Sequence, residues 1–177
     1  MRNVTTPLTY PPQGRPGVPG PSNKGFGSVD YSDLDDGIPL GLGVETWTRI
    51  TRNLSPANNP NPPSGPWAGF EFWSNNLLRA RALGDIYLFK FSYRIVPALR
   101  GSSIRFAVRP GGNPNFDFGP QPVVLAAQAG QEEIGSITFS QTARSRFVSS
   151  GAEVYLLSSS GGALTEFSPE VTPLGYL

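Results

Sequence analysis

The sequence predicts an all-β protein, an antiparallel β-sandwich preceded by an extended Pro/Gly-rich N-terminal arm. Three observations carry this reading. Between Asp85 and Val96 the residues Tyr87, Phe89, Phe91, Tyr93 and Ile95 fall on one face, while Lys90, Ser92 and Arg94 fall on the other, the two-residue period of a strand with one buried side. From Val44 onward about eight short apolar runs are separated by turn-rich loops, and no amphipathic helix longer than two turns interrupts them. The first 43 residues, by contrast, have almost no periodic apolar pattern.

The arm, residues 1–43, is punctuated throughout by Pro11-Pro12, Gly14, Pro16-Gly17, Pro19-Gly20-Pro21, Gly25, Gly27, Gly37, Pro39, Gly41 and Gly43. Within it, Gly14 to Ser22 has glycine at every third position for three triplets, the register a collagen triple helix requires. Three triplets are too few to hold such a helix, so an extended polyproline-like strand is the simpler reading. Arg15, Pro16, Val18, Phe26 and Tyr31 are the arm's candidate partner-binding residues.

The sandwich, residues 44–177, is expected to open with Glu45 to Arg52, a run of β-branched and aromatic residues with polar alternates. Ser55 to Pro66 is a loop by its prolines, asparagines and glycine, and Trp67 to Trp73 resumes as an aromatic strand containing Phe70 and Phe72. Ser74 to Leu83 is the best helical candidate. After the strand ending at Val96, a short Gly-containing loop leads to Ile104, Phe106 and Val108 alternating with Ser103, Arg105, Ala107 and Arg109, a pattern expected to form an antiparallel hairpin with its predecessor. Pro110 to Asn115 is a further loop. Val123–Ala126, Ile134–Phe139, Phe147–Val148, Ala152–Leu157 and Leu164–Phe167 complete the strands, and the tail to Leu177, with its two prolines, is expected to run along the domain or dock on a neighbour.

Composition limits the chemistry. Gly 21 and Pro 19 together make up more than a fifth of the 177 residues, against about 12% in average usage. Lys+Arg 14 against Asp+Glu 13 gives +1, too little for a field that would draw the chain to nucleic acid or an anionic membrane. No cysteine and no histidine are present, which removes thiolate nucleophiles, disulfides, the commonest general base and the commonest metal ligand. No apolar run approaches the roughly 18 residues of a membrane span, and the N-terminus has no apolar signal region, so a soluble protein made in a cytoplasm is expected.

The remaining chemical candidates have plain structural readings. Asp30, Asp33, Asp35 and Asp36 form the one acidic cluster, but aligning Gly37 with the glycine of a calcium loop puts Ser32 and Leu34 at ligand positions and Gly43 where the bidentate Glu belongs. Glu132 and Glu133 point to opposite faces of a strand, and nothing in the sequence brings Asp85 and Asp117 together. Trp47, Trp67, Trp73, Tyr87, Phe89 and Phe91 are expected in the core rather than on a glycan-stacking platform. The series Arg94, Arg100, Arg105, Arg109, Arg144 and Arg146 suits contacts to acidic protein surface better than a nucleic-acid track. No enzyme activity and no cofactor are expected.

In strand rhythm and composition, the stretch from Trp47-Thr48-Arg49-Ile50-Thr51-Arg52-Asn53 through Phe89-Lys90-Phe91-Ser92-Tyr93-Arg94 to Gly151-Ala152-Glu153-Val154-Tyr155-Leu156 resembles bacteriophage structural proteins with a jelly-roll domain of the TNF/C1q-like kind. Such proteins occur as capsid decoration (cement) proteins and as tail-fibre heads. The resemblance implies a virion location, a homotrimer with aromatic strands near the threefold contact, and an arm anchoring each subunit to the major capsid protein or another virion protein. It brings no catalytic residue with it.

Overall fold

The computed structural model describes residues 27–33, 38–56 and 61–175. In chain order the elements are β1 (Val29–Asp33), β2 (Leu40–Leu42), β3 (Thr46–Arg49), β4 (Leu54–Pro56), β5 (Trp73–Ser74), β6 (Leu77–Leu78), β7 (Ile86–Pro97), β8 (Ser103–Pro110), β9 (Val123–Val124), β10 (Glu133–Thr142), α1 (Ser145–Ser150), β11 (Ala152–Ser158) and β12 (Gly162–Gly175). Short 3-10 turns stand at Gly65–Trp67 and Pro114–Phe116.

Two antiparallel sheets face each other. One runs β10-β7-β12-β1-β4, with β2 also paired to β12, and the other runs β5-β6-β11-β8-β9. The alternation read in β7 is the reason: Tyr87, Phe89, Phe91, Tyr93 and Ile95 are all buried while Lys90 and Arg94 face solvent. From the other sheet Ile104, Phe106 and Val108 of β8 and Val154 and Leu156 of β11 meet them. Phe91 sits at the centre, its ring centroid 5.5 Å from Phe106, 5.1 Å from Phe139 and 5.2 Å from Phe167, mostly edge-on. Each such ring taken from water contributes about 1.5–3 kcal/mol.

Several expectations are corrected. β7 and β8 are not a hairpin: β7 lies between β10 and β12, β8 lies between β11 and β9, and the turn at 98–102 carries the chain from one sheet to the other. A two-residue period says which face is buried, not which strand lies alongside. Two apolar rows bury more by facing each other across the sandwich than by lying side by side. The arm boundary at 43/44 falls inside the sandwich, because β1 and β2 belong to it, pairing with β12 at Val29↔Val171 and Leu40↔Leu164. These strands are too short for a periodic pattern, and the open side of β12 supplies their hydrogen bonds.

Ser74–Leu83 contains no helix; Trp73↔Leu78 and Ser74↔Leu77 pair around a two-residue turn in which Asn75 and Asn76 have φ of 54° and 59°. Both values suit a tight hairpin turn that asparagine tolerates well. Trp67 closes a 3-10 turn rather than opening a strand, and Phe147–Val148 belong to α1. The tail forms β12, the longest strand among the described residues. Its prolines, Pro169 and Pro173, stand on either side of Glu170 and Val171, the positions where β12 pairs with β1, so neither lies within that ladder.

Candidate interaction surfaces

The candidate partner residues Arg15, Pro16, Val18 and Phe26 lie outside the described residues, as do the glycine triplets and Asp35 and Asp36. Tyr31 is described and is not available to a partner: it is 2% exposed, and its hydroxyl accepts the Phe72 N–H at 2.8 Å. Alternation along β1 turns Tyr31 inward, and burial pushes its phenol above the ordinary range, although the backbone bonds it receives pull the other way.

The four acidic residues weighed as acid–base partners, Asp85, Asp117, Glu132 and Glu133, are engaged in structural contacts. Asp85 is wholly buried; Arg81 grips it at 3.0 and 3.1 Å, the Tyr87 hydroxyl donates to it at 2.9 Å, and the Trp67 indole and the Ala82 N–H add bonds at 3.3 and 3.2 Å. Burial, with the neighbouring Asp85 charge, raises the Tyr87 phenol far above its usual value. Asp117 belongs to Arg109, whose Nε and Nη2 reach its two oxygens at 2.8 and 3.2 Å. Glu132 accepts from Thr165 at 2.9 Å, and Glu133 accepts the Ala127 N–H at 2.8 Å. Among the described residues no group of three or more acidic side chains could hold a metal ion.

The outer face of the β8–β11 sheet carries a cation–aromatic stack. The Arg109 guanidinium lies 4.8 Å from the Trp47 ring centre and 4.3 Å from that of Tyr155. The Tyr155 hydroxyl donates to Glu153 at 2.6 Å, and Arg49 pairs with the same carboxylate at 2.9 Å. Burial first, then Glu153, raises the Tyr155 phenol. This stack fastens β3 and the loop after β8 to the sheet. Among the aromatics expected in the core, Trp67, Trp73, Tyr87, Phe89 and Phe91 are buried, whereas Trp47 belongs to this half-covered stack.

One side of the sandwich is left incompletely covered. β10 closes one sheet and pairs along its whole length with β7, but no strand among the described residues lies on its other side. The neighbouring edge of the opposite sheet is formed by β9 and by Phe118, which bridges to Val108 and packs 6.3 Å from Phe139. Between these edges Phe118, Val123, Ile137 and Phe139 pack on the core yet remain half-buried, while Val124 and Ile134, on the outer faces of the same two edge strands, are 71% and 67% exposed. β10 has no proline and, apart from Glu133, no charge, so it lacks the usual protections of a free edge. Sequence reading placed β9 and β10 as strands but could not show them as an open side, because edge position depends on pairing.

A groove of about 310 Å³ opens at one end of the molecule, between the loop after β8 and the junction of β10 with α1. Phe116, 51% exposed, Arg144 and Arg146 line it, and the Arg146 guanidinium lies 4.4 Å from the centre of the Phe116 ring.

No family model and no curated protein matches the chain. Solved structures do resemble it. The PRD1 vertex protein P5 superposes with a TM-score of 0.53 at 15% identity, covering 86% of this chain and 98% of that one. The Eiger TNF from S. frugiperda gives 0.51 at 8% identity, covering 86% and 95%. Two antiparallel sheets, this strand order and these likenesses together make the fold of this chain a jelly roll, similar to those of the PRD1 vertex protein P5 and the Eiger TNF.

Proposed function

We propose that this chain is a bacteriophage virion structural protein, a capsid decoration (cement) protein that assembles as a homotrimer and is anchored to the head lattice through its N-terminal segment. The observation that carries the reading is the open side of the sandwich. Half-buried Phe118, Val123, Ile137 and Phe139 lie between two sheet edges, of which β10 is unpaired on its outer side among the described residues, and such an incompletely covered apolar edge is what another protein surface would cover. The carboxylates singled out for acid–base chemistry, Asp85, Asp117, Glu132 and Glu133, are instead held in ion pairs or hydrogen bonds, which favours contact over catalysis at those positions. Likeness of fold to a virion vertex protein agrees with this reading.

The test is co-sedimentation with undecorated capsids of the whole chain and of a version lacking residues 1–26, which leaves every described strand in place. Binding that is lost with the segment supports the decoration role; no binding by either protein overturns it. A second reading, a tail-fibre or receptor-binding head, draws on a separate observation: the groove beside Phe116 at the loop end of the sandwich.

A further inference from the structure

The groove between the loop after β8 and the start of α1 has an unusual balance of charge. Arg144 and Arg146 are both exposed on its wall, and among the described residues neither makes an ion pair. The one carboxylate on the lining, Asp117, is already bound through both oxygens by Arg109. The groove therefore presents two uncompensated guanidinium groups. One of them is held in position, since Arg146 rests against the Phe116 ring at 4.4 Å and part of its rotamer entropy is already lost.

The rest of the lining adds a second requirement. Phe116 offers an apolar ring half open to solvent, set at the end of the Pro114–Phe116 turn, where the Asn113 side chain accepts the Asn115 N–H at 2.9 Å and fixes the loop. Asn115 and Gln141 place amide groups at the margins. A ligand that satisfies all of these carries a carboxylate for the guanidinium fork, a compact apolar face for the ring, and hydroxyls for the amides. A volume of about 310 Å³ lies in the range of small-ligand sites rather than of an extended protein contact.

We propose that this groove binds an acidic saccharide, a pyranose bearing a carboxylate, with Arg144 and Arg146 on the carboxylate and Phe116 under the ring. The inference goes beyond the structural role and rests on the groove alone, so it can fail or hold independently of capsid binding.

The experiment titrates the whole protein with glucuronic acid, with N-acetylneuraminic acid and with neutral glucose, following backbone amide signals by NMR. An open site of this size is expected to bind a single acidic sugar with Kd on the order of millimolar, with shifts confined to residues 113–118 and 141–147, and to give no saturable shift with glucose. Arg146→Gln and Phe116→Ala should each weaken binding at least about fivefold. Both residues are exposed, so the thermal midpoint should not move, which separates lost binding from lost fold. Equal binding of glucose, binding that the substitutions leave unchanged, or no binding of either acidic sugar would overturn the proposal. So would a Glu-rich peptide that competes for the same amides at equal or better affinity, since the groove would then be a protein-docking site.

Discussion

Arg109 and Arg105 are four residues apart on the same face of β8, yet they stand in different physical situations. Arg109 is 8% exposed, forked onto Asp117 and covered by Trp47 and Tyr155, whereas Arg105 is exposed and touches only the Trp47 ring, at 5.8 Å. Truncating Arg109 to alanine removes the stack and leaves Asp117 without its counter-ion, which should lower stability by about 2–3 kcal/mol. Arg105→Ala should cost less than about 0.5 kcal/mol. Urea unfolding of the two variants side by side measures the contrast. The sequence showed an arginine series and an aspartate but not this pairing, because Asp117 reaches Arg109 only through the turn between them.

The phenols give a pH dependence with a definite sign. Tyr31, Tyr87, Tyr93 and Tyr155 are all raised from the ordinary value of 10.0, in each case first by burial. Above that value the unfolded chain releases phenolic protons that the folded chain retains. Stability is therefore fully present below pH 10 and falls as pH rises beyond it. The tyrosinate absorbance of these four phenols, out of six tyrosines in the chain, should then appear together with loss of tertiary circular dichroism, not before it.

β7 was legible almost residue by residue, because a period of two with aromatic residues on one side has few other solutions. What the pattern could not supply was adjacency: β10 and β12 flank β7, and both come later in the chain. α1 was missed because Phe147 and Val148 read as apolar and β-branched, while a single helical turn with one buried face leaves no period to detect. The Asn75-Asn76 turn did leave a signal, a two-residue asparagine pair between apolar runs, which the leucines and arginines after it obscured. β10 offers a sharper test. Gly135 faces Tyr93, and a Cβ there would lie 2.5 Å from the phenolic oxygen and 2.6 Å from Cζ. Gly135→Ala should force the ring away and lower the thermal midpoint, at a cost of about 1–3 kcal/mol.

For the molecule as a whole, the open side predicts behaviour in solution. A trimer should sediment with three times the 19.0 kDa of one chain. Replacing Val124 and Ile134, exposed on the outer faces of the two edge strands, with glutamate should shift the equilibrium toward monomer without changing the secondary structure, because neither side chain is in the core. Sedimentation equilibrium at several concentrations reads this directly, and an unchanged mass for the double variant would remove the open side from the assembly. This surface was not legible in the sequence, since an open side bounded by two edges exists only after both sheets have formed.

β12 lies in the middle of its sheet, between β7 and β1, although among the described residues it is the last strand in chain order. A nascent chain stopped before Gly162 would have no strand to join β1 to β7, and Phe167 and Val171 would be missing from the core. It would display the aromatic row of β7 to solvent and be prone to aggregation and to capture by chaperones and proteases. The topology thus acts as a length check: prematurely terminated copies cannot close the core and are diverted before they can join any assembly of complete ones.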